Sequence, residues 1–237
     1  MDPVPPLADD NCLFLDLDGT LLHLRDDPAA IPADPALLKL LADCARRLDG
    51  ALAVISGRPI SDLDACLAPL HFAAAGIHGA ERRGSGGMVT TRSASDARLR
   101  GAARQIAQAM EDLPLSQLED KGASLALHWR RAPEHEPALR ALAQDALRQL
   151  GPEFRLLEGN CVIELLPQGV DKGDAVRAFL QEAPFQGRTP VFVGDDITDL
   201  PGFAAARAAG GHGIAVGQRV AAEWHFADVN AVRHWLK

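Results

Sequence analysis

The sequence has no excess of positive charge: 24 Lys and Arg stand against 32 Asp and Glu, a formal net charge of −8. That excludes a general nucleic-acid backbone binder, which needs a basic face. An anionic ligand would instead have to be held by a local cluster of donors or by a metal. No apolar stretch reaches the length of a bilayer span, so no membrane partner is expected. The opening MDPVPPLADDN lacks the basic start and apolar core of a secretory leader, which predicts a cytoplasmic protein. Cysteine is scarce: Cys12, Cys44, Cys66 and Cys161 show no paired metal-ligand spacing, and each has apolar neighbours. They are expected to be buried thiols. No repeat, low-complexity tract or heptad marks a self-association face, and a monomer is the simpler expectation. What is present, 237 residues of which 47% are apolar and 24% charged, suits one large globular domain or two small ones.

Short apolar runs alternate with helical stretches. Residues 12–16 (CLFLD) form a continuous apolar run ending in an acid, as in a strand buried on both faces. Leu37, Leu38, Leu41, Cys44, Ala45 and Leu48 then recur at helical spacing over 35–49, with Asp34 as N-cap and Pro35 as first helical residue. Residues 51–55, 190–194 and 213–216 read as further buried strands, and 71–75 as a weaker one. This alternation predicts an α/β core with a mostly parallel, Rossmann-like sheet.

Residues 81–167 read differently. ERRGSGGMVTTR (81–92) has the form of a hairpin, followed by a helical run at 96–112. ASLALHWR (123–130) alternates strictly, with Ser124, Ala126, His128 and Arg130 on one face and Leu125, Leu127 and Trp129 on the other. A helix over 136–150 and strands at 154–157 and 161–166 complete an antiparallel α+β pattern. The expected organisation is a core from 1–80 and 168–237, with 81–167 as an inserted cap.

The ends of the buried strands carry the chemistry. The first ends in Asp16-Leu17-Asp18-Gly19-Thr20, the second in Ser56-Gly57-Arg58, and the strand at 190–194 in Asp195-Asp196-Ile197-Thr198-Asp199. Open parallel sheets bind ligands beyond the carboxyl ends of their strands. Lys172 stands just before a helix start near Gly173, another place that receives an anion. Taken singly, each is an ordinary turn or a solvated lysine. Taken together, Asp16, Asp18 and Asp195 form a hard-oxygen set suited to Mg²⁺. Ser56, the Gly57 amide, Arg58 and Lys172 suit phosphate oxygens. The combination predicts phosphoryl transfer.

Asp16–Thr20 (DLDGT), Ser56, Lys172 and Asp195 with Asp199 resemble the four motifs of the haloacid dehalogenase-like phosphatases. AVISGRP (53–59), GIHGAERR (76–83), KGASLALHWR (121–130), VIELLPQGVDKG (162–173) and EAPFQGRTPVFVGDDITD (182–199) narrow the resemblance to the trehalose-6-phosphate phosphatases. That resemblance implies an α/β core with a cap inserted between the second and third motifs. It also implies hydrolysis of trehalose 6-phosphate, with Asp16 as nucleophile and Asp18 as general acid and then base. Mg²⁺ would be held by Asp16, the Asp18 main-chain carbonyl and Asp195, supported by Asp196 and Asp199; the choice between Asp195 and Asp196 as direct ligand stays open. Glu81, Lys121, His128, Arg130 and Glu164 are the implied sugar-reading groups, and Trp129 belongs to the cap core.

Two positions depart from the family pattern. Leu166 stands where a basic residue follows Glu164 by two, and Leu200 where an acid often follows Asp199. Competing readings are a phosphatase for another sugar phosphate, such as sucrose phosphate, and a non-catalytic sugar-phosphate-binding regulator.

Overall fold

A computed structural model describes residues 3–24, 32–92 and 97–237. In chain order the elements are β1 (Asn11–Leu15), α1 (Pro35–Arg47), β2 (Leu52–Ile55), α2 (Ile60–Leu67), β3 (Ala73–Gly76), β4 (Glu81–Arg83) and β5 (Val89–Thr91). Next come α3 (Ala97–Ala109), β6 (Gln117–Asp120), β7 (Leu125–His128), α4 (Glu136–Leu150), β8 (Phe154–Gly159) and β9 (Val162–Pro167). The chain ends with α5 (Lys172–Phe179), β10 (Thr189–Gly194), α6 (Leu200–Ala208), β11 (His212–Val216), β12 (Trp224–Phe226) and α7 (Val229–Trp235). Two compact units result, one from residues 1–90 and 171–237, the other from residues 91–170. Among the described residues no helix is long and apolar enough to cross a membrane.

The larger unit is built on a sheet of order β12-β11-β10-β1-β2-β3-β4-β5. Pairing is parallel from β12 through β3. All of β1 is buried, as a strand covered on both faces must be. Beneath it Phe14 packs on Phe179 and Phe185, with ring centroids 6.0 and 5.5 Å away. Strand order reverses between β1 and β10: the chain runs outward through β2 and β3, then returns on the other side of β1. The carboxyl ends of β1 and β10 therefore flank the crevice where such sheets bind ligands.

The hairpin expected in the inserted segment belongs to this sheet instead. β4 pairs antiparallel with β3, Gly76 opposite Glu81 and Ala74 opposite Arg83. Arg83 fixes the join, donating to both carboxylate oxygens of Asp64 at 2.7 Å and to the Phe72 carbonyl. A hairpin pattern shows that two segments turn back on each other; it does not say which sheet they extend. Glu81 thus lies in the larger unit.

In the smaller unit β6-β7-β9-β8 form an antiparallel sheet. β6 was not foreseen. The helical run expected at 96–112 is α3, and its first residue, 96, lies outside the described residues. Leu125, Leu127 and Trp129 pack with Ile163, Leu165 and residues of α3 and α4, as the alternation predicts. The Arg140 guanidinium covers the Trp129 ring at 5.1 Å. All four cysteines are free, and three are buried; Cys161, in the turn before β9, is only half-buried. Leu166 is fully buried and Leu200 is exposed at the start of α6.

Candidate active site

β1 delivers Asp16 as the first residue beyond its last rung, the Asp16 N–H donating to the Val193 carbonyl at 2.9 Å. Its carboxylate is nearly inaccessible and has two donors: Lys172 Nζ at 2.7 Å on Oδ1 and Thr20 Oγ1 at 3.2 Å on Oδ2. Lys172, the first residue of α5, also donates to Asp199 Oδ1 at 2.5 Å. Asp171 caps that helix by accepting from Asp174 N at 2.7 Å.

From β10 the chain turns through Asp195 and Asp196 into a short 3-10 turn at Ile197–Asp199. Asp199 Oδ2 receives the N–H groups of Asp195 and Asp196 at 2.9 and 3.0 Å, which locks the turn. Carboxylate oxygens of Asp16, Asp195 and Asp199 lie within 4.8 Å of one another, all buried. Asp196 is outside this triad: its side chain caps the turn by accepting from the Asp199 N–H. The Asp18 carboxylate is also directed elsewhere, bound side-on by Arg58 through Nε at 2.5 Å and the second guanidinium nitrogen at 2.7 Å.

The electrostatics follow from burial and crowding. Burial, with Asp199 and Asp196 adding like charge, pushes the Asp195 carboxyl up to about 7 despite Arg219 and Lys172. Burial also holds Asp16 well above the usual carboxylate range, and Asp199 and Asp195 raise it further against the pull of Lys172. For Lys172, burial favours the neutral amine, but Asp16 and Asp199 outweigh it and keep the ammonium above its ordinary value. Three buried carboxylates share one buried ammonium and the Arg219 guanidinium, 3.4 Å from Asp195, so with all three ionised the negative charge is not fully compensated. The donors are all hard oxygens, so the set fits a divalent ion of the Mg²⁺ type.

Ser56, buried at the end of β2, accepts from the Arg58 N–H on its hydroxyl at 3.2 Å. It stands in the same unit as Asp16 and Lys172, as does the rest of the Ser56–Arg58 turn. Glu81, expected to read a sugar, accepts from the Ile60 N–H at 2.7 Å and so caps α2.

The smaller unit carries a separate polar cluster. Register places Glu119, Ala126 and Glu164 in one row across β6, β7 and β9. With only Ala126 between them, both acids reach Lys121, whose Nζ lies 3.3 Å from each Glu164 oxygen and 3.9 Å from Glu119. Ser124 Oγ donates to Glu164 at 2.5 Å, and the His128 ring meets Glu119 at 2.9 Å. Burial raises Glu119, but His128 and Lys121 together hold its carboxyl below the usual value. Arg130 donates to the Asn160 carbonyl at 3.1 Å, apart from these bonds.

The family signature described as trehalose-phosphatase matches residues 14–230. The chain is 43% identical over 234 residues to the trehalose-6-phosphate phosphatase of Escherichia coli (strain K12), covering 98% of this chain and 88% of that one. The chain belongs to the trehalose-phosphatase family. Among solved structures, a trehalose-6-phosphate phosphatase related protein superposes with a TM-score of 0.76 at 27% identity, over 95% of both chains. A phosphatase of the haloalkanoate (HAD) enzyme superfamily from Bacteroides thetaiotaomicron shares the fold, with a TM-score of 0.63 at 15% identity, over 99% of this chain and 97% of that one.

For a trehalose-phosphatase, three features of this geometry lay beyond the sequence reading. Asp199, expected only as a nearby support, stands in the carboxylate triad itself, and of the two candidates left open it is Asp195 that joins the triad while Asp196 caps the turn. Glu119 and Ser124 join Lys121, Glu164 and His128 in the smaller unit. The signal for Glu119 was its two-residue spacing from Lys121, which could be read only once β6 was known to exist.

Proposed function

We propose that this chain is a Mg²⁺-dependent cytoplasmic phosphatase that hydrolyses trehalose 6-phosphate to trehalose and inorganic phosphate, through an aspartyl-phosphate on Asp16. The observation that carries this reading is the buried convergence of Asp16, Asp195, Asp199 and Lys172 beyond β1 and β10.

An oxygen of Asp16 attacks phosphorus in line, and the bond from phosphorus to the sugar oxygen breaks. Asp18 gives a proton to that leaving oxygen. It then takes one from the water that attacks the aspartyl-phosphate, which frees phosphate and regenerates Asp16. Lys172 and Thr20 hold the Asp16 carboxylate in one orientation; Arg58 binds both Asp18 oxygens, and Asp18 exchanges that ion pair for a proton before it acts as the acid. Ser56 and Gly57 hold phosphoryl oxygens. Asp16, Asp195 and Asp199 would hold Mg²⁺, whose contribution when bound is to neutralise charge on the phosphoryl oxygens so that an anionic nucleophile can approach. Specificity for the disaccharide is assigned to Glu119, Lys121, Ser124, His128 and Glu164, directional donors and acceptors whose bonds to one another only a ligand with matching hydroxyls can replace.

Phosphate release from trehalose 6-phosphate, sucrose 6-phosphate, glucose 6-phosphate and p-nitrophenyl phosphate, with and without Mg²⁺, tests the proposal. Trehalose 6-phosphate should be turned over fastest, and chelation should stop all turnover until Mg²⁺ is restored. Equal turnover of every ester would remove the disaccharide assignment. Tight binding without turnover would favour the regulator.

A further inference from the structure

Strain in the segment after β3 is concentrated directly behind the Ser56–Arg58 turn. Ile77, His78 and Gly79 have φ of 48°, 55° and 112°. A β-branched residue in the left-handed region is an outlier, and two non-glycine residues there in succession need strong local support. The support comes from the turn itself: the Ile77 N–H donates to the Arg58 carbonyl and the His78 N–H to the Ser56 carbonyl, both at 2.9 Å.

The His78 side chain completes the contact. Its ring is buried, with Cε1 and Nε2 each 2.8 Å from the point a Cβ on Gly57 would occupy. Any side chain at 57 would displace that imidazole, so Gly57 is the residue that lets the ring sit against the backbone of the turn. On its far side the strained segment meets the start of α5. A Cβ on Gly79 would stand 2.9 Å from the Asp171 carbonyl, next to Lys172. One short stretch is thus wedged between the Ser56–Gly57 turn, assigned to phosphoryl oxygens, and the start of α5, which carries the Lys172 that holds Asp16. Strain held in place by its surroundings at such a junction points to a functional constraint.

We infer that His78 is a positioning residue for phosphoryl binding: its ring backs the Ser56–Gly57 turn and sets the aim of that turn's donors. The inference rests on the phosphatase reading and deepens it.

Two variants separate the ring from the backbone. His78→Asn keeps a residue that tolerates positive φ and removes the ring; His78→Gly removes the ring and the strain at position 78, leaving that at Ile77. Thermal unfolding checks that each is folded. Both should raise the inhibition constant of inorganic phosphate about tenfold. KM should rise by the same factor for trehalose 6-phosphate and p-nitrophenyl phosphate, because the phosphoryl group is common to both, while kcat changes less. Gly57→Ala should cost more in the wild-type background than alongside His78→Gly, where space has opened for the methyl group.

Folded variants with phosphate inhibition and KM within about twofold of wild type would overturn the inference. Should His78→Asn fail to fold, His78→Gly and the Gly57→Ala coupling carry the test. A wild-type protein that binds phosphate by calorimetry yet hydrolyses no ester would sink the phosphatase reading alone, and weaker phosphate binding by the variants would still support the role of His78. A wild-type protein that neither binds phosphate nor hydrolyses any ester would overturn both.

Discussion

With φ at 86°, Gly19 turns the chain back after β1, and a Cβ there would lie 2.3 Å from Asp195 Oδ2. Asp16-Leu17-Asp18-Gly19-Thr20 is therefore a packing unit as well as a chemical one, since the glycine lets the loop after β1 close onto the acid after β10. The same crowding frames a prediction for Asp16→Asn. The change removes the nucleophile and also one of three buried carboxylates that repel one another. Steady-state hydrolysis should be abolished, while thermal unfolding without added metal shows no loss of stability. Turnover that persists, with deamidation excluded by mass spectrometry, would refute the nucleophile role.

Helix α1 begins as its sequence predicts: Asp34 Oδ1 accepts from the Leu37 N–H at 2.9 Å, and Pro35 takes the first helical position. Asp34 also pairs with Arg233 of α7 at 2.7 Å, which no local pattern could reveal. The Leu37 N–H, and after it Arg233, hold the Asp34 carboxyl below its ordinary value. A carboxyl depressed on folding contributes its full stabilisation above its unfolded pKa, about 4, and loses it as pH falls through the folded value. Asp34→Ala should cost about 1 kcal/mol in urea unfolding at pH 7. The gap from wild type should narrow towards pH 3; an undiminished gap there would mean that the carboxylate is not its source. The hairpin of β4 and β5 is the contrasting case. Its turn was legible from Gly84, Ser85, Gly86 and Gly87, whereas its place beside β3 depends on Arg83 reaching Asp64 and Phe72.

Division of the chain into two units separates the two halves of the proposed function. Asp16, Lys172, Asp195 and Asp199 belong to the parallel-sheet unit; Glu119, Lys121, Ser124, His128 and Glu164 belong to the antiparallel one. Glu164→Gln should weaken the ion pair with Lys121 and leave the carboxylate triad in place. Its penalty on kcat/KM should be about tenfold larger for trehalose 6-phosphate than for p-nitrophenyl phosphate, as expected when remote binding energy is lost. Equal penalties would mean that this cluster does not read the sugar. Buried pairs of this kind stabilise little by themselves, since desolvation offsets attraction, so retention of stability alone would not argue against the role.

Composition and local pattern established the α/β class, the buried strands and the acids, hydroxyl and lysine at their ends. Those features depend on neighbours a few residues apart, through pleat, helical period and turn chemistry. Spacing along the chain could not say that Asp199 joins the triad while Asp196 caps a turn, because that depends on which way a carboxylate faces once the 3-10 turn has formed. Nor could it place Glu119 beside Lys121 and His128, or Glu81 at the start of α2. These partnerships are set by cross-strand register and by packing between segments far apart in the chain, and they exist only after the backbone has closed.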